Sequence, residues 1–528
     1  MHIDTYKLNA NGLYVPFVRD EDGQLVQVAV APMDGAQEAF LCAPEKEVGL
    51  AGNRGGGKTE VMGLDFLSGV GRGFGPNYKG ILIRRSQREF TDLITLTEGM
   101  IRPIWPKAQY NKLKNFWEWP TGETLEFSYF DTPDQFGLYQ GKSFVWIGFE
   151  ELTLWPTLEC YFLMFSTLRS PVPEKLLPRK VRFTCNPSGP GHNAVRHRFN
   201  LSGVPEGIAG PVITEVGKDG VPASRRMIFA SFEDNVLLKR TEPQYMRAIE
   251  VACEGDPAKL RAWKYGDWSV ISGGAFDGIF FEHAKTIYVE PFELPASGKC
   301  WMSYDHGSTK PYACLFWWES DGSDIRFKNG RCRSTRPRDL FLIGEVYGCT
   351  GWPNEGTKES IAEITTKIQS YKIDRGWRWR DPISGTWRDA FKRGFADNAI
   401  GEELNEFSVA VEFERPVRIN YEIHPGIRWE LVSKPPGSRV TGFALMRERL
   451  IATAPRPDSR IREAPGLFVV KDDCPNFVRT IPVLPRSSKN PDDVNSESED
   501  HIFDAVKYML QADRSPHIRS GRIGERLR

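Results

Sequence analysis

The residues from Gly52 to Thr59 carry the most specific chemistry in the sequence. They read GNRGGGKT and fit the pattern G-x-x-x-x-G-K-[ST], in which backbone N–H groups curl around phosphate oxygens. In this pattern Lys58 reaches the β- and γ-phosphates, and the Thr59 hydroxyl holds Mg²⁺. The sequence therefore predicts a site for a nucleoside triphosphate, which we take to be ATP with Mg²⁺. Its predicted contacts are Gly52, Arg54, Gly55, Gly56, Gly57, Lys58 and Thr59.

The residues on either side of this loop predict the elements that hold it. An apolar run at 48–51 precedes the loop, and Val61, Leu64 and Leu67 recur at helical spacing after it. A helix that starts at the loop would direct the positive end of its dipole at the phosphates. The arrangement predicted is strand, loop and helix.

A pair of acids, Glu150 and Glu151, follows the apolar run 144–149. ATP hydrolysis needs one carboxylate on the metal side and one group that orients the attacking water. By position, Glu150 is the metal-side acid and Glu151 activates the water. Asp is usual at the first position, so Glu150 is a departure from the pattern. The alternative is two exposed acids after a core strand.

A third strand-like run, 181–185, ends at Asn186, which could sense the γ-phosphate. Arg196 and Arg198 follow and could act as a finger for a neighbouring subunit, because such arginines neutralise charge on the transferring phosphoryl group. Arg54 is the alternative finger or sensor. Surface arginines on a helix are the competing interpretation of Arg196 and Arg198.

Short apolar runs alternate with helical stretches between residues 47 and 199, which predicts a mostly parallel α/β sheet. Residues 13–18 and 25–30 predict a β-hairpin before it. Residues 200–270 look more helical and polar, and new strands are predicted near 300–304, 313–318 and 340–347.

Composition limits the function classes. The 528 residues contain 69 Lys plus Arg and 69 Asp plus Glu, so the net charge gives no global support for nucleic-acid binding. No apolar run is long enough to span a membrane, no secretory signal is evident, and the nine cysteines are scattered; a reduced cytoplasmic protein is predicted. The basic C-terminal end could touch DNA or an acidic partner, or could be a solvated terminus.

Several of these segments together resemble the large terminase subunit of tailed bacteriophages, a DNA-packaging motor. They are Gln37 ahead of Phe40, the loop GNRGGGKT, the turn 139–141 and the stretch 184–192. The resemblance runs from about residue 37 to about residue 510. It implies that Gln37 contacts adenine, that Glu151 is the catalytic glutamate and that Asn186 couples hydrolysis to domain movement.

The resemblance also implies a fold and a division into domains. The fold is an N-terminal P-loop ATPase domain of the ASCE, RecA-like type with a mostly parallel sheet, followed by a ribonuclease H-like α/β nuclease domain. The expected parts are an N-terminal extension (1–36), the ATPase core (37–200), a helical lid or linker (201–272), the nuclease domain (273–513) and a basic tail (514–528).

A nuclease of this kind needs carboxylates that converge on divalent ions about 3.5–4 Å apart. Asp305 and Asp397 each end a short apolar run, and Asp504 lies near the start of a C-terminal helix. Their order matches the acids of ribonuclease H-like terminase nucleases, although a single strand-end Asp is more often a turn former or cap. Asp500, four residues before Asp504, is an auxiliary ligand, and Glu345 is a further candidate or a surface charge. Two Mg²⁺ or Mn²⁺ ions are expected here.

Arginines and tryptophans interleave at 377–380 and 387–388, just before Asp397. This pattern could grip a DNA backbone, or it could form a hairpin with one Trp face packed inward.

The function implied is ATP-driven translocation of double-stranded DNA into a procapsid through the portal, with cleavage of concatemeric DNA. The partners implied are the portal, the small terminase subunit and other copies of the chain, as a pentamer on the portal and a monomer in solution. The place of action would be the cytoplasm of the infected bacterium, at the portal vertex and not in the mature virion. The alternatives are a P-loop helicase or translocase without a nuclease, and a non-enzymatic scaffold that binds nucleotide structurally.

Overall fold

The structure is a computed structural model that describes residues 5–8, 14–19, 22–27, 32–52, 55–86, 90–217, 220, 222–271, 273–391, 393–402, 408–455, 462–487 and 489–512. Arg54 and the basic tail lie outside these residues. The helices within them are all too short or too polar to cross a membrane.

The chain divides into two compact units. One comprises Met1–Glu282, Gly351–Glu355 and Pro482–Glu499, and the other His283–Thr350, Gly356–Ile481 and Asp500–Arg528. The finer division into five parts stays a prediction.

The first unit begins with a small antiparallel sheet and continues as alternating strands and helices. The predicted hairpin is present as the second and third strands, and one further strand precedes it. The elements are β1 Thr5–Leu8, β2 Tyr14–Arg19, β3 Leu25–Gln27, α1 Ala36–Cys42, β4 Glu47–Gly52, α2 Lys58–Leu67, β5 Lys79–Arg84, α3 Phe90–Ile101, β6 Gln109–Asn111, β7 Phe116–Glu118, β8 Thr124–Tyr129, β9 Trp146–Phe149, α4 Glu159–Phe165, β10 Lys180–Cys185, α5 His192–Arg198, β11 Ile213–Val216, β12 Pro222–Ala230, α6 Val236–Thr241, α7 Tyr245–Ala252 and α8 Pro257–Tyr265.

The main sheet of this unit has the order β11-β12-β4-β10-β9-β5-β8-β7-β6. Its centre, from β12 to β8, is parallel throughout. One strand, β10, separates β4, which leads into the phosphate loop, from β9, which leads into the acid pair. This is the ASCE order, and it agrees with the predicted fold class. The strands β4 and β9 are buried along their whole length, as expected for a sheet covered by helices on both faces.

The segment expected to be mainly helical also contributes strands. Residues Pro222–Ala230 form β12, which runs parallel to β4. Apolar residues along β12, including Met227 and Ile228, pack into the cores on the two sides of the sheet. The prediction missed β12 because its first half, PASRR, is polar and occupies the sheet near its edge strand β11.

The second unit contains a mixed sheet and several short hairpins. From the segment that leads into it onward, the elements are α9 Asp277–Ile287, β13 Tyr288–Val289, β14 Lys299–Asp305, β15 Ala313–Asp321, β16 Ile325–Arg326, β17 Cys332–Arg333, β18 Pro337–Tyr347, α10 Ile361–Asp374, β19 Arg378–Arg380, β20 Trp387–Asp389, β21 Gly394–Asp397, α11 Val409–Glu414, β22 Val417–Ile419, β23 Glu422–His424, β24 Trp429–Val432, α12 Ser438–Ile451, β25 Leu467–Val470, α13 Pro475–Thr480 and α14 His501–Gln511.

The sheet of the second unit has the order β13-β25-β18-β15-β14-β21-β24. The strands β14, β15 and β18 form an antiparallel meander, and β21 and β24 continue parallel to β14. Numbered along the chain, these five strands have the order 3-2-1-4-5, which is the ribonuclease H arrangement. The helix α14 packs on β14, β15 and β21. The predicted second domain therefore has the predicted fold class.

The tryptophan-rich segment forms the hairpin β19–β20. Trp377 packs inward against Phe316 and Phe391, whereas Trp379 is about half exposed. The inward-packed interpretation therefore holds for Trp377, which directly precedes the hairpin, and not for Trp379 within it.

Candidate functional sites

The phosphate loop connects β4 to α2, as predicted. Gly57 immediately precedes α2 and has φ +65°, and Gly55 has φ +83°, so both adopt the left-handed conformation that favours glycine. Lys58 and Thr59 are the first two residues of the helix, which places the Thr59 hydroxyl at the helix N-terminus. The loop can therefore present backbone N–H groups and a helix N-terminus to an anion.

Two side chains from other segments support this loop. The Gln37 amide donates to the Gly57 carbonyl at 3.2 Å, and its oxygen accepts from the Met33 N–H at 2.9 Å. The Asn235 amide donates to the Gly55 carbonyl at 2.5 Å. Gln37, predicted as an adenine contact, thus touches the loop backbone. Sequence reasoning missed Asn235, whose only local signal is its N-cap position ahead of α6.

The acid pair reaches the same sheet edge as the loop, because β4, β5, β9 and β10 are parallel. The Thr59 hydroxyl donates to Glu150 Oε1 at 2.5 Å, and the Arg84 guanidinium pairs with Glu150 Oε2. Glu150 is buried, and Thr59 and Glu150 present oxygens suited to Mg²⁺. The sequence analysis missed Arg84, whose only local signal is its place at the end of the apolar run that forms β5.

The backbone is unusual at the second acid. Glu151 has φ +55°, a left-handed conformation that is uncommon outside glycine and tends to occur at functional sites. Its N–H donates to the Thr184 hydroxyl of β10 at 3.0 Å. This contact ties the acid to the strand that ends beside Asn186.

Asn186 directly follows β10. Its carbonyl accepts from the Thr153 hydroxyl at 3.3 Å, and its side-chain oxygen is buried with no hydrogen-bond partner among the described residues. Burying an unpaired amide oxygen costs free energy, so such groups often serve a ligand or a second conformation. This position suits a sensor of the γ-phosphate that the neighbouring phosphate loop would bind.

The candidate finger residues have different surroundings. The Arg198 guanidinium is buried and forms a bidentate ion pair with Glu47, which also accepts from the Tyr161 hydroxyl at 3.0 Å. Arg196 is partly buried, and its guanidinium donates to the Leu201 carbonyl at 3.1 Å. Arg198 thus holds its own domain together, and Arg54 lies outside the described residues.

In the second unit the structure brings Asp305, Asp397 and Asp504 around one tyrosine. The Tyr508 hydroxyl lies 3.0 Å from Asp397 Oδ2 and 3.4 Å from Asp305 Oδ1. Asp504 is one helical turn before Tyr508 on α14, and its charge contributes to the raised pKa of Asp305. Burial is the larger cause of that rise. We call Asp305, Asp397, Asp500 and Asp504 the acid cluster.

The acid cluster is surrounded by cationic groups. Arg439 donates to Asp504 Oδ2 and to Asp500 Oδ2, both at 3.0 Å. Lys507 pairs with Asp504, and Lys434 pairs with Asp397. Burial raises the pKa of Asp500 to about 7, and the neighbouring Asp504 charge adds to the effect. Burial also acts on Asp397, but the Ala399 N–H and Lys434 outweigh it and lower its pKa.

A divalent cation fits this donor set by its chemistry. Asp305 of β14 and Asp397 of β21 both contact Tyr508 of α14, the helix that also carries Asp504. Hard cations such as Mg²⁺ and Mn²⁺ prefer carboxylate ligands of this kind. In the part of the chain that the structure describes, no three His, Cys, Asp or Glu side chains are grouped closely enough to hold an ion as they stand. Three acids of the cluster are paired with cations instead: Asp397 with Lys434, Asp504 with Lys507 and Arg439, and Asp500 with Arg439.

Glu345 is not brought into this group. Its carboxylate accepts from the N–H groups of Asn476 and Phe477, at 2.5 and 3.1 Å, at the start of α13. Burial raises the pKa of Glu345 to about 7, although the two N–H groups oppose the rise. The side chain caps a short helix of its own domain.

The fold and the two sites define a class: a P-loop domain of ASCE strand order and a ribonuclease H-like domain with an acid cluster, in one chain. No family model and no curated protein matches the sequence. Solved structures similar to this chain include two large terminases. The large terminase of a thermophilic bacteriophage is 14% identical and covers 91% of this chain and 98% of its own, with a TM-score of 0.36. That of bacteriophage HK97 is 10% identical over 91% of this chain and 94% of its own, with a TM-score of 0.41.

A separately solved domain of another large terminase is also similar to part of this chain. The nuclease domain of the P22 large terminase is 14% identical over 44% of this chain and 90% of its own, with a TM-score of 0.26.

Proposed function

We propose that this chain is the large subunit of a phage terminase, which couples ATP hydrolysis to translocation of double-stranded DNA and cuts that DNA with a metal-dependent nuclease. The observation that carries the proposal is the presence of two separate sites in one chain. One is a phosphate loop with an acid pair at the same sheet edge, and the other is an acid cluster in a ribonuclease H-like sheet.

At the ATPase site, Lys58 would bind the β- and γ-phosphates, and Thr59 and Glu150 would hold Mg²⁺. Glu151 would orient the attacking water, and Asn186, linked to Thr153, would respond to the γ-phosphate. Arg84 neutralises Glu150 and would fix its orientation. Gln37 remains the proposed adenine contact, and Arg54 and Arg196 are the remaining proposed fingers.

At the nuclease site, Asp305, Asp397 and Asp504 would hold two Mg²⁺ or Mn²⁺ ions, with Asp500 beside them. When bound, the ions would supply positive charge to the attacking and leaving oxygens of the phosphodiester. The protein's own part is to hold the carboxylates in place and to bind the DNA backbone nearby.

The partners proposed are double-stranded DNA, the portal of a procapsid, the small terminase subunit and other copies of this chain, five on the portal. The chain would act in the cytoplasm of an infected bacterium.

A P-loop translocase without a nuclease accounts for the first site and leaves the acid cluster unexplained. A scaffold that binds nucleotide structurally leaves Glu150 and Glu151 unexplained.

Paired substitutions test the proposal. Lys58→Ala should lower ATP hydrolysis at least about 100-fold, which is about 2.7 kcal/mol of transition-state stabilisation, while plasmid cleavage in Mn²⁺ persists. Asp305→Asn and Asp504→Asn should abolish cleavage and leave ATP hydrolysis of the free protein intact.

The parent protein serves as the reference in both assays. No ATP hydrolysis in Mg²⁺ would favour the scaffold, and no metal-dependent cleavage would favour the translocase without a nuclease. Equal loss of both activities in folded Lys58→Ala protein would contradict two separate sites.

A further inference from the structure

Helix α14 brings other polar groups to the acid cluster besides the carboxylate of Asp504. His501, Asp504 and Tyr508 are spaced three and four residues apart, so they share one face of the helix. His501 Nδ1 lies 3.4 Å from Asp305 Oδ2, and the Tyr508 hydroxyl lies 3.4 Å from Asp305 Oδ1. Both oxygens of Asp305 therefore face side chains of the same helix.

Tyr508 also reaches the second strand acid. Its hydroxyl lies 3.0 Å from Asp397 Oδ2, a good distance for a hydrogen bond that the phenol donates. Asp305 and Asp397 end neighbouring parallel strands, since Tyr304 pairs with Ala396 in the register of β14 and β21. The hydroxyl thus stands between two carboxylates whose charges repel each other.

The other partners of Asp397 differ in how firmly they are held. The Ala399 N–H binds Oδ1 at 3.0 Å and is fixed by the backbone. Lys434 shares Oδ2, but its side chain is 35% exposed and lies on the exposed stretch before α12. Tyr508 is only 1% exposed and belongs to a helix packed on the sheet. Of the two groups on Oδ2, Tyr508 is the one with a fixed position.

A buried tyrosine hydroxyl normally has a hydrogen-bond partner, and here the partners are two proposed metal ligands. Groups that bind metal ligands orient them, and losing such a group typically weakens metal binding about 10–100-fold. Phenylalanine would fill the same space in the core and would lack only the hydroxyl.

We propose that Tyr508 is a positioning residue of the nuclease site: its hydroxyl sets the orientation of Asp397 and the spacing between Asp397 and Asp305, so that the acid cluster is preorganised for a divalent cation. The inference rests on the proposed nuclease function and deepens it.

The test uses Tyr508→Phe in the full chain, with Mn²⁺ as the probe. Mn²⁺ binding is measured without DNA by calorimetry or by electron paramagnetic resonance. We expect the Mn²⁺ dissociation constant to rise about 10–100-fold. In plasmid cleavage, the Mn²⁺ concentration for half-maximal rate should rise by a similar factor, and the rate at saturating Mn²⁺ should return to near the parent value.

The matched control is Tyr371→Phe, the same change in the same unit. Tyr371 packs against Phe316 and Trp377, and no contact links its hydroxyl to the acid cluster among the described residues. Its Mn²⁺ dissociation constant should equal that of the parent. The melting temperature and the ATPase rate of both variants report whether the chain is folded.

The outcomes separate the two proposals. If the parent binds Mn²⁺ and Asp305→Asn does not, but Tyr508→Phe binds like the parent, the positioning role is overturned and the nuclease stands. If Tyr508→Phe lowers the cleavage rate with no rescue by Mn²⁺ and no change in Mn²⁺ affinity, the role is structural and the inference is again overturned. A folded parent that neither binds Mn²⁺ nor cleaves DNA overturns the nuclease function and this inference with it.

Discussion

At the scale of single residues, chemistry depends on partners that the sequence does not display. Glu345 illustrates this. In the sequence it has apolar neighbours, as the metal-binding candidates do, but in the structure its carboxylate caps α13 by accepting from two backbone N–H groups. Arg198 and Glu47 form a buried pair, although either residue alone looks like a surface charge. Each assignment depends on which group faces the charge after folding.

The buried Glu345 predicts a pH effect on stability. Its pKa is raised to about 7, so the folded state holds the proton more tightly than the unfolded chain. The stability that Glu345 contributes is full at low pH and is lost as the pH rises towards 7. Glu345→Gln removes the titrating carboxyl group and with it this dependence of stability on pH. The unfolding free energy of the variant relative to the parent should therefore rise by about 2–3 kcal/mol between pH 5 and pH 8.

Chemical denaturation at several pH values provides the measurement, with Glu363→Gln as the control. Glu363 is a fully exposed helix-capping acid of the same unit whose pKa is lowered, chiefly by the Ser360 hydroxyl. Parallel pH profiles for the parent and Glu345→Gln would contradict the predicted titration.

At the scale of elements, close helix packing sets the position of an acid. Gly442 lies in α12, and a Cβ at this position would overlap Cγ of Lys507 on α14. Lys507 is 1% exposed and pairs with Asp504. The glycine therefore leaves room for the lysine that stands against the acid cluster.

Gly442→Ala should reverse the usual preference for alanine over glycine in helices. We expect a loss of about 1–3 kcal/mol in unfolding free energy, because the added methyl group must displace a buried side chain. Gly99→Ala in α3 is the control, since no atom lies within 4 Å of its Cβ position. It should gain about 0.5–1 kcal/mol from helix propensity. Equal gains in both variants would show that α12 and α14 move apart without cost.

At the scale of the whole molecule, the chain combines two α/β units, each with its own sheet and its own candidate site. The proposed motor would use an arginine from a neighbouring copy to neutralise the transferring phosphoryl group. Arg198 does not suit this role, because it is held by Glu47 in its own domain. Arg196 and Arg54 remain for that task.

Mixing two inactive variants tests the supply of an arginine between copies. Lys58→Ala chains cannot hydrolyse ATP but can offer Arg196 to a neighbour, and Arg196→Ala chains have an intact phosphate loop. If Arg196 acts between copies, the mixture should hydrolyse ATP faster than either variant alone, with a rate that rises more than linearly with protein concentration. Arg54→Ala mixed in the same way is the parallel test, and two unchanged rates would exclude both residues as fingers that act between copies in solution.

The sequence alone determined those features that depend on residues close together along the chain. The phosphate loop, its strand and its helix depend on contiguous residues, so GNRGGGKT, the apolar run before it and the helical spacing after it sufficed to predict them. Alternating apolar runs sufficed for the first α/β sheet, because burial imposes that pattern locally. For the second unit they predicted three strands, and its α/β fold was implied by the family resemblance. The polar half of β12 lacks such a pattern, which is why this strand was missed.

Only the tertiary structure decided which distant residues meet. It joined Arg84 to Glu150, removed Glu345 from the acid cluster and placed Tyr508 between Asp305 and Asp397. These contacts connect residues from 66 to 203 positions apart. They depend on strand order and on the packing of α14, and no local periodicity records them. The types of chemistry could be predicted from the sequence because they follow from residue type, whereas the partners are a property of the fold.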